Sequence, residues 1–583
     1  MNLALISVPI GIVGGLGAVV FRALIALFHN AFFLGTFSTN YDANVHTPPS
    51  IWGPLVILVP VIGAFGVAFL VKNFAPEAKG HGVPEVIDAV FYNNGKIRPI
   101  VAVIKSLASA LSIGSGGSIG REGPIIQIGS SFGSTIGQIL PLPTWQRVTL
   151  IAAGAGAGIA ATFNTPVGGV LFAIEIILHE VSARTLVPVA IATATGTYFG
   201  RLFFGSHPSF VIPSLETLSF KIMEPGVLVS FVGLGLLAGL VSTAFIYSIY
   251  GMEDFFDQKI KGGYYVRHML GMLLVGVQMY LLMAFLGHYY IEGVGYSTIQ
   301  DVLSGALLSF PILLLLLGMK LLVTSLTLGS GASGGVFSPA LFMGATLGGL
   351  YGIVLKAIFP GLSISPPAFA IAGMAGIVGG STGAAMTAIV MIFEMTLDYN
   401  VIIPLTITVA ISYEIRKILS KESIYTLKLA RRGHFIPDAM KRNFHEVLQA
   451  RQIMISAVSS IDTSCTLGEL ADKVQKDGNI PYYIVKNKSK VIGVIPSSLM
   501  SGPLNHYDHD GMVEEIAIKD YEIVSNDATF EEIMDKIRAN HTTLVLVMDY
   551  TEPPSGGKVV GVITKDELTT SVSIAAGLFS DIE

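Results

Sequence analysis

Apolar residues dominate the first 420 positions of the chain, in long runs separated by short links rich in glycine and proline. A helix needs about 20 apolar residues to cross the hydrocarbon core of a bilayer, so these runs predict membrane-spanning helices. We count about fourteen to seventeen such segments by this criterion. Glycine and proline interrupt many of them, which predicts helices that are broken inside the membrane.

The pattern changes after about residue 440, where short strands and amphipathic helices replace the long apolar runs. Four strands are indicated, in two pairs, at 480–486, 490–496, 542–549 and 558–564. A helix that begins with a Thr-x-x-Glu capping box precedes each pair. We therefore predict two tandem soluble α/β modules, at residues 447–508 and 512–575.

The membrane region contains an internal repeat. The stretch KSLASALSIGSGGSIGREGP at 105–124 aligns without a gap with KLLVTSLTLGSGASGGVFSP at 320–339. We therefore divide the membrane region into two related halves, at residues 1–210 and 220–430. Repeats with glycine- and proline-interrupted segments are typical of transporters with inverted-topology halves, whose substrate sites lie where the halves meet.

Composition and charge narrow the possible functions. The 583-residue chain is 52% hydrophobic and 13% charged, which excludes an ordinary soluble protein. Its net charge of -5 does not indicate a nucleic-acid partner. Because it offers no nucleophile with a partner base, no metal-ligand spacing and no cofactor loop, we expect neither enzyme activity nor a metal. Basic residues in 413–433 predict that this end, with the modules after it, faces the cytosol of a cell membrane.

Each copy of the repeat contains a glycine-rich turn followed by a proline, Pro124 or Pro339. Proline suits the first turn of a helix, because its missing N–H would have no partner there. Each turn therefore predicts a helix N-terminus inside the membrane, which favours an anion by about 0.3 to 2 kcal/mol. The alternative is that glycine runs only allow close helix packing, as we expect for AAGAGAGIAA at 152–161. A cation transporter would instead need acidic ligands in both turns.

The repeat also compares charged residues between the halves. Glu175 and Glu394 end a second pair of aligned segments, so we expect the same structural role for both, such as binding backbone N–H groups. Lys105 and Lys320 also occupy equivalent positions, which favours a structural or field-setting role for both lysines.

Glu122 differs from these residues, because Phe337 is opposite it in the second half. Charged groups in a membrane are costly, so a carboxylate at only one of two equivalent turns is a candidate for function. Its deprotonated form could itself occupy the anion site, and protonation would release it. A fixed salt bridge to Arg121 or Lys105 is the structural alternative.

Four motifs, in this order, resemble the CLC family of chloride channels and chloride/proton exchangers. They are GHGVPEV at 80–86, GREGP at 120–124, GGVFSP at 334–339 and the tyrosine of KESIYTLKL at 421–429. The two modules are similar to the CBS pairs that many members carry, so the resemblance extends over nearly the whole chain. It implies a homodimer in the lipid bilayer, with one pore in each subunit built from two inverted halves.

The resemblance implies roles for individual residues. Glu122 is similar to the family's gating glutamate. The implied anion-site residues are His81, Gly82, Arg121, Gly123, Val336, Phe337 and Tyr425. Val336 and Phe337 would offer backbone N–H groups to the central anion, and Tyr425 its hydroxyl. From the residues alone, a single tyrosine after a basic stretch is more typical of an interfacial anchor.

Two positions depart from the family pattern. The first loop commonly reads GSGIP, with a serine hydroxyl on the chloride, whereas this chain has His81. An imidazole could donate an N–H to an anion, gain charge at low pH or point away, so the preferred anion stays open. Well-studied exchangers also carry a second glutamate as an inner proton site, whereas Glu175 is followed by Ile176.

We predict chloride transport gated by Glu122 and coupled to proton antiport. Some exchangers lack the inner carboxylate, and water could then carry protons inward. The alternative is a chloride channel without proton coupling, because family channels have an apolar residue at the position of Ile176.

The second module carries a partial nucleotide signal. CBS pairs often bind adenine nucleotides through a Thr/Ser-x-x-Asp ending, whose carboxylate holds the ribose hydroxyls. Here Thr564 is followed by Glu567 at the acidic position, whereas the first module has Pro496 and Leu499. The pair could therefore bind ATP or AMP at one site, or serve only dimerisation and stability. No other cofactor is expected.

Overall fold

A computed structural model describes residues 3–206, 209–210, 224–436, 449–488, 490–500, 509–540, 542–549 and 558–568. The chain divides into two compact units, Met1–Ile436 and Pro437–Glu583. The predicted module ends at residues 447, 508 and 575 lie outside the described residues.

The first half of the membrane unit contains eight helices within its described residues. They are α1 (Leu3–His29), α2 (Val59–Phe74), α3 (Val83–Phe91), α4 (Ile100–Gly114), α5 (Glu122–Ile139), α6 (Thr144–Phe163), α7 (Pro166–Phe172) and α8 (Ala183–Phe204). A π-helical segment continues α1 over Asn30–Leu34 and another continues α7 over Ala173–Leu178. Short 3-10 helices at Gly53–Leu58 and Pro76–Ala78 lie before and after α2.

The second half repeats this order. Its helices are α9 (Pro225–Lys259), α10 (Tyr264–Leu286), α11 (Tyr296–Ser304), α12 (Phe310–Ser330), α13 (Phe337–Ile358), α14 (Pro366–Thr382), α15 (Ala385–Thr396) and α16 (Ile402–Leu419), followed by a short α17 (Thr426–Arg431). Six helical stretches among the described residues are long and apolar enough to cross a membrane. The predicted multi-pass helical membrane fold is confirmed.

Glycines pack the helices in the same way in both halves. A Cβ atom at Gly129 of α5 would lie 2.1 Å from the carbonyl oxygen of Gly154 in α6. At the equivalent place, a Cβ at Gly344 of α13 would lie 2.4 Å from the carbonyl oxygen of Gly373 in α14. Only glycine permits such an approach. The AAGAGAGIAA segment therefore serves helix packing, as predicted.

The two halves are related by a pseudo-two-fold axis, and they meet close to it. Gly120 and its repeat equivalent Gly335 exchange two backbone hydrogen bonds, of 2.7 and 2.6 Å. Equivalent residues bind each other in this way only near a two-fold axis. An inverted-topology repeat predicts this relation.

The glutamates that end the repeat make reciprocal contacts. Each carboxylate accepts two backbone N–H groups at the start of the equivalent short helix in the other half. Glu175 accepts from Met386 and Thr387, at 3.2 and 2.8 Å, and Glu394 from Val167 and Gly168, at 3.1 and 2.7 Å. The predicted shared role in binding backbone N–H groups is confirmed.

The equivalent lysines also make equivalent contacts. Lys105 and Lys320 are both fully buried, and each ammonium donates to two carbonyl groups in the loop before α3 or α11. Lys105 binds Ala78 and Gly80, at 3.0 and 2.7 Å, and Lys320 binds Ile291 and Gly293, both at 3.2 Å. Each lysine thus fixes the turn that leads into a short helix.

The second unit contains two small sheets. Its elements are α18 (Ala450–Ile453), β1 (Val458–Asp462), α19 (Leu467–Asp477), β2 (Tyr482–Asn487), β3 (Lys490–Pro496), α20 (Val513–Ile516), β4 (Glu522–Ser525), α21 (Phe530–Asn540), β5 (Leu544–Asp549) and β6 (Lys558–Thr564). In each sheet the first strand is parallel and the third antiparallel to the middle strand. The predicted α/β pair is confirmed.

Segments of each module complete the other. Ala450 and Ile453 of α18 pack in the core under the second sheet, whereas Val513 and Ala517 pack under the first. A further apolar cluster joins the sheets and contains Ile484, Val494, Leu544, Leu546, Val559 and Val562. The two sheets therefore pack together through a shared apolar cluster.

Candidate functional site

The helix breaks lie inside the membrane unit, at two equivalent turns. The chain leaves α4 through Gly116, with φ +97°, and leaves α12 through Gly331, with φ +121°. Side chains disfavour such φ values, so glycine is needed at both points. The turns then meet at the Gly120–Gly335 hydrogen bonds.

Four helix N-termini converge next to this contact, those of α3, α5, α11 and α13. A Cβ atom at Gly123 of α5 would lie 2.0 Å from the carbonyl oxygen of His81 and 3.1 Å from Cα of Gly335. Tyr296, the first residue of α11, contacts Ser338 of α13 through its hydroxyl at 2.9 Å. Four partially positive helix ends thus face one buried region, which is an arrangement suited to an anion.

The carboxylate of Glu122 lies on these helix ends and is 1% exposed. It accepts a hydrogen bond from the hydroxyl of Tyr296 at 2.8 Å and from the backbone N–H of Ser338 at 3.3 Å. The hydroxyl of Ser338 also donates to it. A negative group of the protein therefore occupies the N-terminus of α13, where a small anion could otherwise bind.

The salt-bridge alternative for Glu122 does not agree with the geometry. In the part of the chain that the structure describes, no cationic side chain forms an ion pair with this carboxylate. The ammonium of Lys105 binds carbonyl groups instead. The guanidinium of Arg121 lies over the rings of Tyr296 and Phe163, 4.9 and 5.8 Å from the centroids.

His81 and Tyr425 lie together on another side of the site. Their ring centroids are 5.9 Å apart, and the two residues are 3% and 2% exposed. The imidazole Nε2 is 3.4 Å from the hydroxyl of Tyr250, and Nδ1 has no hydrogen-bond partner among the described residues. Burial of Tyr425 is inconsistent with an interfacial anchor, so that alternative is wrong.

The remaining predicted anion-site residues lie in the same region. Gly82 has φ +84° and immediately precedes α3. A Cβ at Gly82 would lie 3.0 Å from the carbonyl oxygen of Gly123. Val336 and Phe337 are buried at the start of α13, and the ring of Phe337 lies 5.6 Å from that of Phe163.

Ile176 lies in the π-helical segment after α7 and is 5% exposed. The neighbouring carboxylate of Glu175 binds the start of α15. Neither residue therefore supplies a free carboxylate at the inner proton position.

Sequence reasoning missed Tyr296 and Ser338, the two hydroxyl donors to Glu122. A signal was present for the tyrosine. The loop GHGV before α3 and the loop GVGY before α11 have glycines at the same two positions, and all four glycines have positive φ. Equivalent lysines, Lys105 and Lys320, bind the carbonyl of the first glycine in each loop. This match places Tyr296 at the entrance to an equivalent broken helix.

Thr564 and Glu567 adjoin each other at the end of β6. The N–H and the hydroxyl of Thr564 both donate to Oε2 of Glu567, with the backbone contact at 3.0 Å. Tyr482 of the other sheet lies beside them, and burial together with the charge of Glu567 raises the pKa of its phenol. Oε1 of Glu567 has no hydrogen bond to the described residues, so this edge could meet a ribose hydroxyl.

Comparison with family models identifies both regions. Residues 62–417 match the model described as voltage gated chloride channel, and residues 513–573 match the CBS domain.

Curated proteins align over most of the membrane unit. The chain is 33% identical over 386 residues to the H(+)/Cl(-) exchange transporter ClcA of Vibrio cholerae, covering 64% of this chain and 79% of that protein. It is 30% identical over 387 residues to a ClcB-like chloride channel protein of Ralstonia nicotianae, covering 64% and 85%.

Solved structures share the fold. A slow cyanobacterial Cl-/H+ antiporter superposes with a TM-score of 0.65 at 24% identity, over 76% of this chain and 99% of that one. A eukaryotic CLC transporter superposes with a TM-score of 0.59 at 18% identity, over 97% and 98%. These likenesses establish the fold of the membrane unit.

Proposed function

The chain belongs to the voltage-gated chloride channel (CLC) family, and from this premise we propose that it carries chloride across a membrane in exchange for protons, with Glu122 as the gate. The observation that carries the proposal is the position of the Glu122 carboxylate on the N-terminus of α13. The exchange transporters among its relatives support the same activity.

The proposed gate works by competition for helix ends. When Glu122 is deprotonated, its carboxylate binds Ser338 and Tyr296 and excludes the transported anion. Protonation removes the negative charge, and the attraction to the helix N-termini is lost with it. The side chain then leaves, and a chloride ion takes its place on the backbone N–H groups of Val336 and Phe337. One carboxyl group thus carries the proton and controls the anion.

The anion is proposed to pass Tyr425 and His81 on its way. The hydroxyl of Tyr425 and an N–H of His81 are the donors this side of the site offers, because Nδ1 of His81 is buried without a partner among the described residues. An imidazole donor in place of a serine hydroxyl changes the width of the site and the geometry of its hydrogen-bond donor. The preference for chloride over fluoride or nitrate is therefore a property to measure.

The decisive experiment uses purified protein in liposomes. A chloride gradient is imposed with the membrane voltage held constant, and the internal pH is recorded. We expect protons to move against their gradient, driven by chloride. Chloride flux without uphill proton movement would favour the channel alternative, which the apolar Ile176 supports. Absence of any anion flux would exclude the transport proposal altogether.

We further propose that each subunit of a homodimer contains its own pathway in the cell membrane, with the CBS pair in the cytosol. The basic residues in 413–433, a segment that begins in the last turns of α16 and continues beyond it, support this orientation. In this proposal, the membrane unit alone contacts lipid and provides the anion pathway from either side of the membrane.

A second candidate function is regulation by an adenine nucleotide at the CBS pair. Glu567 has one carboxylate oxygen without a described partner, beside the aromatic ring of Tyr482. Glu567 would hold the ribose hydroxyls, and the nucleotide would change the rate of transport.

The nucleotide proposal is tested by isothermal titration calorimetry, in which ATP or AMP is titrated into the full-length protein and the heat of binding is measured. Glu567→Ala should abolish the binding. Glu532→Ala is the matched control, because Glu532 also caps its helix through a threonine backbone N–H, at 3.2 Å from Thr529. Equal binding by both variants would exclude Glu567 as the residue that holds the ribose, whereas no binding by the wild type would leave the pair with a structural role only.

A further inference from the structure

A small cavity beside the Glu122 site is lined by two cationic side chains. Its lining residues are Arg22, Ile25, Tyr41, Ala43, Ile113, Arg121 and Val294. Arg121 precedes the gate residue in the chain, and Val294 lies two residues before Tyr296, which binds the gate carboxylate. The cavity therefore adjoins the proposed pathway.

Neither guanidinium group has an acidic partner there. Within the described ranges, the guanidinium groups of Arg22 and Arg121 take part in no ion pair and no hydrogen bond, and Nε of Arg121 is completely buried without a partner. Arg121 is 8% exposed. Arg22 lies over the ring of Phe204, 4.4 Å from its centroid, and Arg121 lies over that of Tyr296. Aromatic faces orient both cations without neutralising them.

Nearby carboxylates do not compensate this charge fully. Asp42 is exposed to solvent next to the cavity. Glu292 pairs instead with His29, at 2.9 Å between Oε1 and Nε2. Arg121 is buried and Arg22 half-buried, so two unpaired cations that repel each other here cost free energy, and a small anion between them would offset it.

The repeat shows that this charge belongs to one half only. Gly11 and Gly15 of α1 contact α8 as Gly235 and Gly239 of α9 contact α16, which matches position 22 of α1 to position 246 of α9. Ile246 is therefore the equivalent of Arg22, and Val336 is the equivalent of Arg121. Helix packing in the equivalent place is achieved without any cation. Packing alone thus does not account for the two arginines.

We propose that Arg22 and Arg121, with the hydroxyl of Tyr41, form an outer binding site for a small monovalent anion such as chloride. An anion held there would lie next to the gate and refill the helix N-termini when the Glu122 carboxyl leaves. The inference deepens the proposed transport function and rests on it.

The site belongs to the outer side of the membrane. α16 leads into the basic segment that is predicted to be cytosolic, and α8 is its equivalent in the inverted half. α8 therefore ends on the opposite side, and its last residue, Phe204, contacts Arg22. Anions arriving from outside would meet this cavity before the central site.

The test measures current through the full-length protein in a planar bilayer, with chloride varied on one side at a time. Arg22→Gln should raise the half-saturating chloride concentration on the outer side about three- to tenfold, because a local cation concentrates anions. The cytosolic half-saturating concentration should stay unchanged. Arg22→Lys should restore most of the affinity, because it keeps the charge.

The matched control is Arg201→Gln. Arg201 lies in α8 near the same end, where its guanidinium binds the side chain of Asn164 at 2.6 Å rather than lining the cavity. Arg201→Gln should leave the half-saturating chloride concentration unchanged on both sides of the membrane. An effect of Arg201→Gln equal to that of Arg22→Gln would show general surface charge and overturn the site. Equal changes on both sides of the membrane in Arg22→Gln would do the same.

A second measurement does not depend on a variant. Crystals of the wild type grown with bromide should show anomalous scattering between the two guanidinium groups, and its absence would overturn the outer site. The failure modes are distinct. A wild type without any anion current would refute the transport function. If the wild type carries current and Arg22→Gln leaves the outer half-saturating chloride concentration unchanged, only the outer site is refuted.

Discussion

At the scale of single residues, the proposed gate is one carboxylate that has no counterpart in the other half. Glu122 binds two hydroxyl groups and one backbone N–H, all uncharged donors. Phe337 occupies the equivalent position and contributes no charge.

The first prediction concerns Glu122→Gln. In the wild type, anion flux should rise as the pH falls, because protonation removes the competing charge from the helix ends. Glutamine cannot lose a proton, so this variant should show anion flux independent of pH and no proton transport. Flux is measured by chloride efflux from liposomes at a series of pH values between about 4 and about 8. A variant that retained the wild-type pH dependence would exclude Glu122 as the gate.

The second prediction concerns Tyr296→Phe, which removes one hydrogen bond to the gate carboxylate. A hydrogen bond to a charged group contributes about 1.5 to 3 kcal/mol, so the carboxylate should leave its site more readily. We expect several-fold greater chloride flux at neutral pH. Tyr351→Phe is the control, because its hydroxyl donates to the carbonyl of Ser230 away from the site. Identical profiles for both variants would mean that Tyr296 does not hold the gate.

At the scale of elements, short helices begin in the interior because polar side chains bind either the helix ends or the loops before them. The carboxylates of Glu175 and Glu394 cap α15 and α7 reciprocally. Lys105 and Lys320 fix the loops before α3 and α11. Unpaired backbone groups are costly in a membrane, so these four side chains allow the helices to break there.

The third prediction follows from the reciprocal caps. Glu175→Ala and Glu394→Ala should each destabilise the protein by about 1 to 3 kcal/mol, because each leaves two backbone N–H groups without their charged acceptor. Symmetry predicts similar losses for the two variants. Thermal unfolding of the detergent-solubilised protein, followed by tryptophan fluorescence, measures the difference. Loss of proton coupling in Glu175→Ala at wild-type stability would instead assign Glu175 to the proton path.

At the scale of the whole molecule, two similar halves enclose an asymmetric candidate site. The scaffold of glycine contacts, caps and lysines repeats closely around the Gly120–Gly335 axis. The ionisable residues next to that axis, Arg121 and Glu122, occur in one half only. A symmetric scaffold thus positions helix ends from both sides, and the unequal residues make the candidate site asymmetric.

The fourth prediction concerns assembly. Solubilised protein should have a particle mass of twice the 61.7 kDa of the chain, plus bound detergent. Mass photometry or light scattering measures it. Glu122→Gln should keep the same mass, because the gate lies inside the membrane unit of each chain. A mass equal to one chain would contradict the proposed homodimer without affecting the transport proposal.

Much of this organisation follows from the sequence. The apolar runs and the offset between residues 105 and 320 sufficed for the membrane fold, the repeat and the separation of Glu122 from Glu175. The Thr-x-x-Glu boxes located both CBS helices, and the structure contains them. These features are local in the chain or recur at a constant spacing, so they can be seen without knowledge of the fold.

Only the tertiary structure decided which groups surround the gate. Tyr296 lies 174 residues from Glu122 along the chain and Ser338 lies 216 residues away, yet both bind its carboxylate. The cavity shared by Arg22 and Arg121 likewise joins helices that are distant in sequence. Residue type and spacing determined that broken helices with a single carboxylate exist in this protein. Long-range packing decided where their ends converge, because backbone and side-chain partners in a membrane are found across the fold.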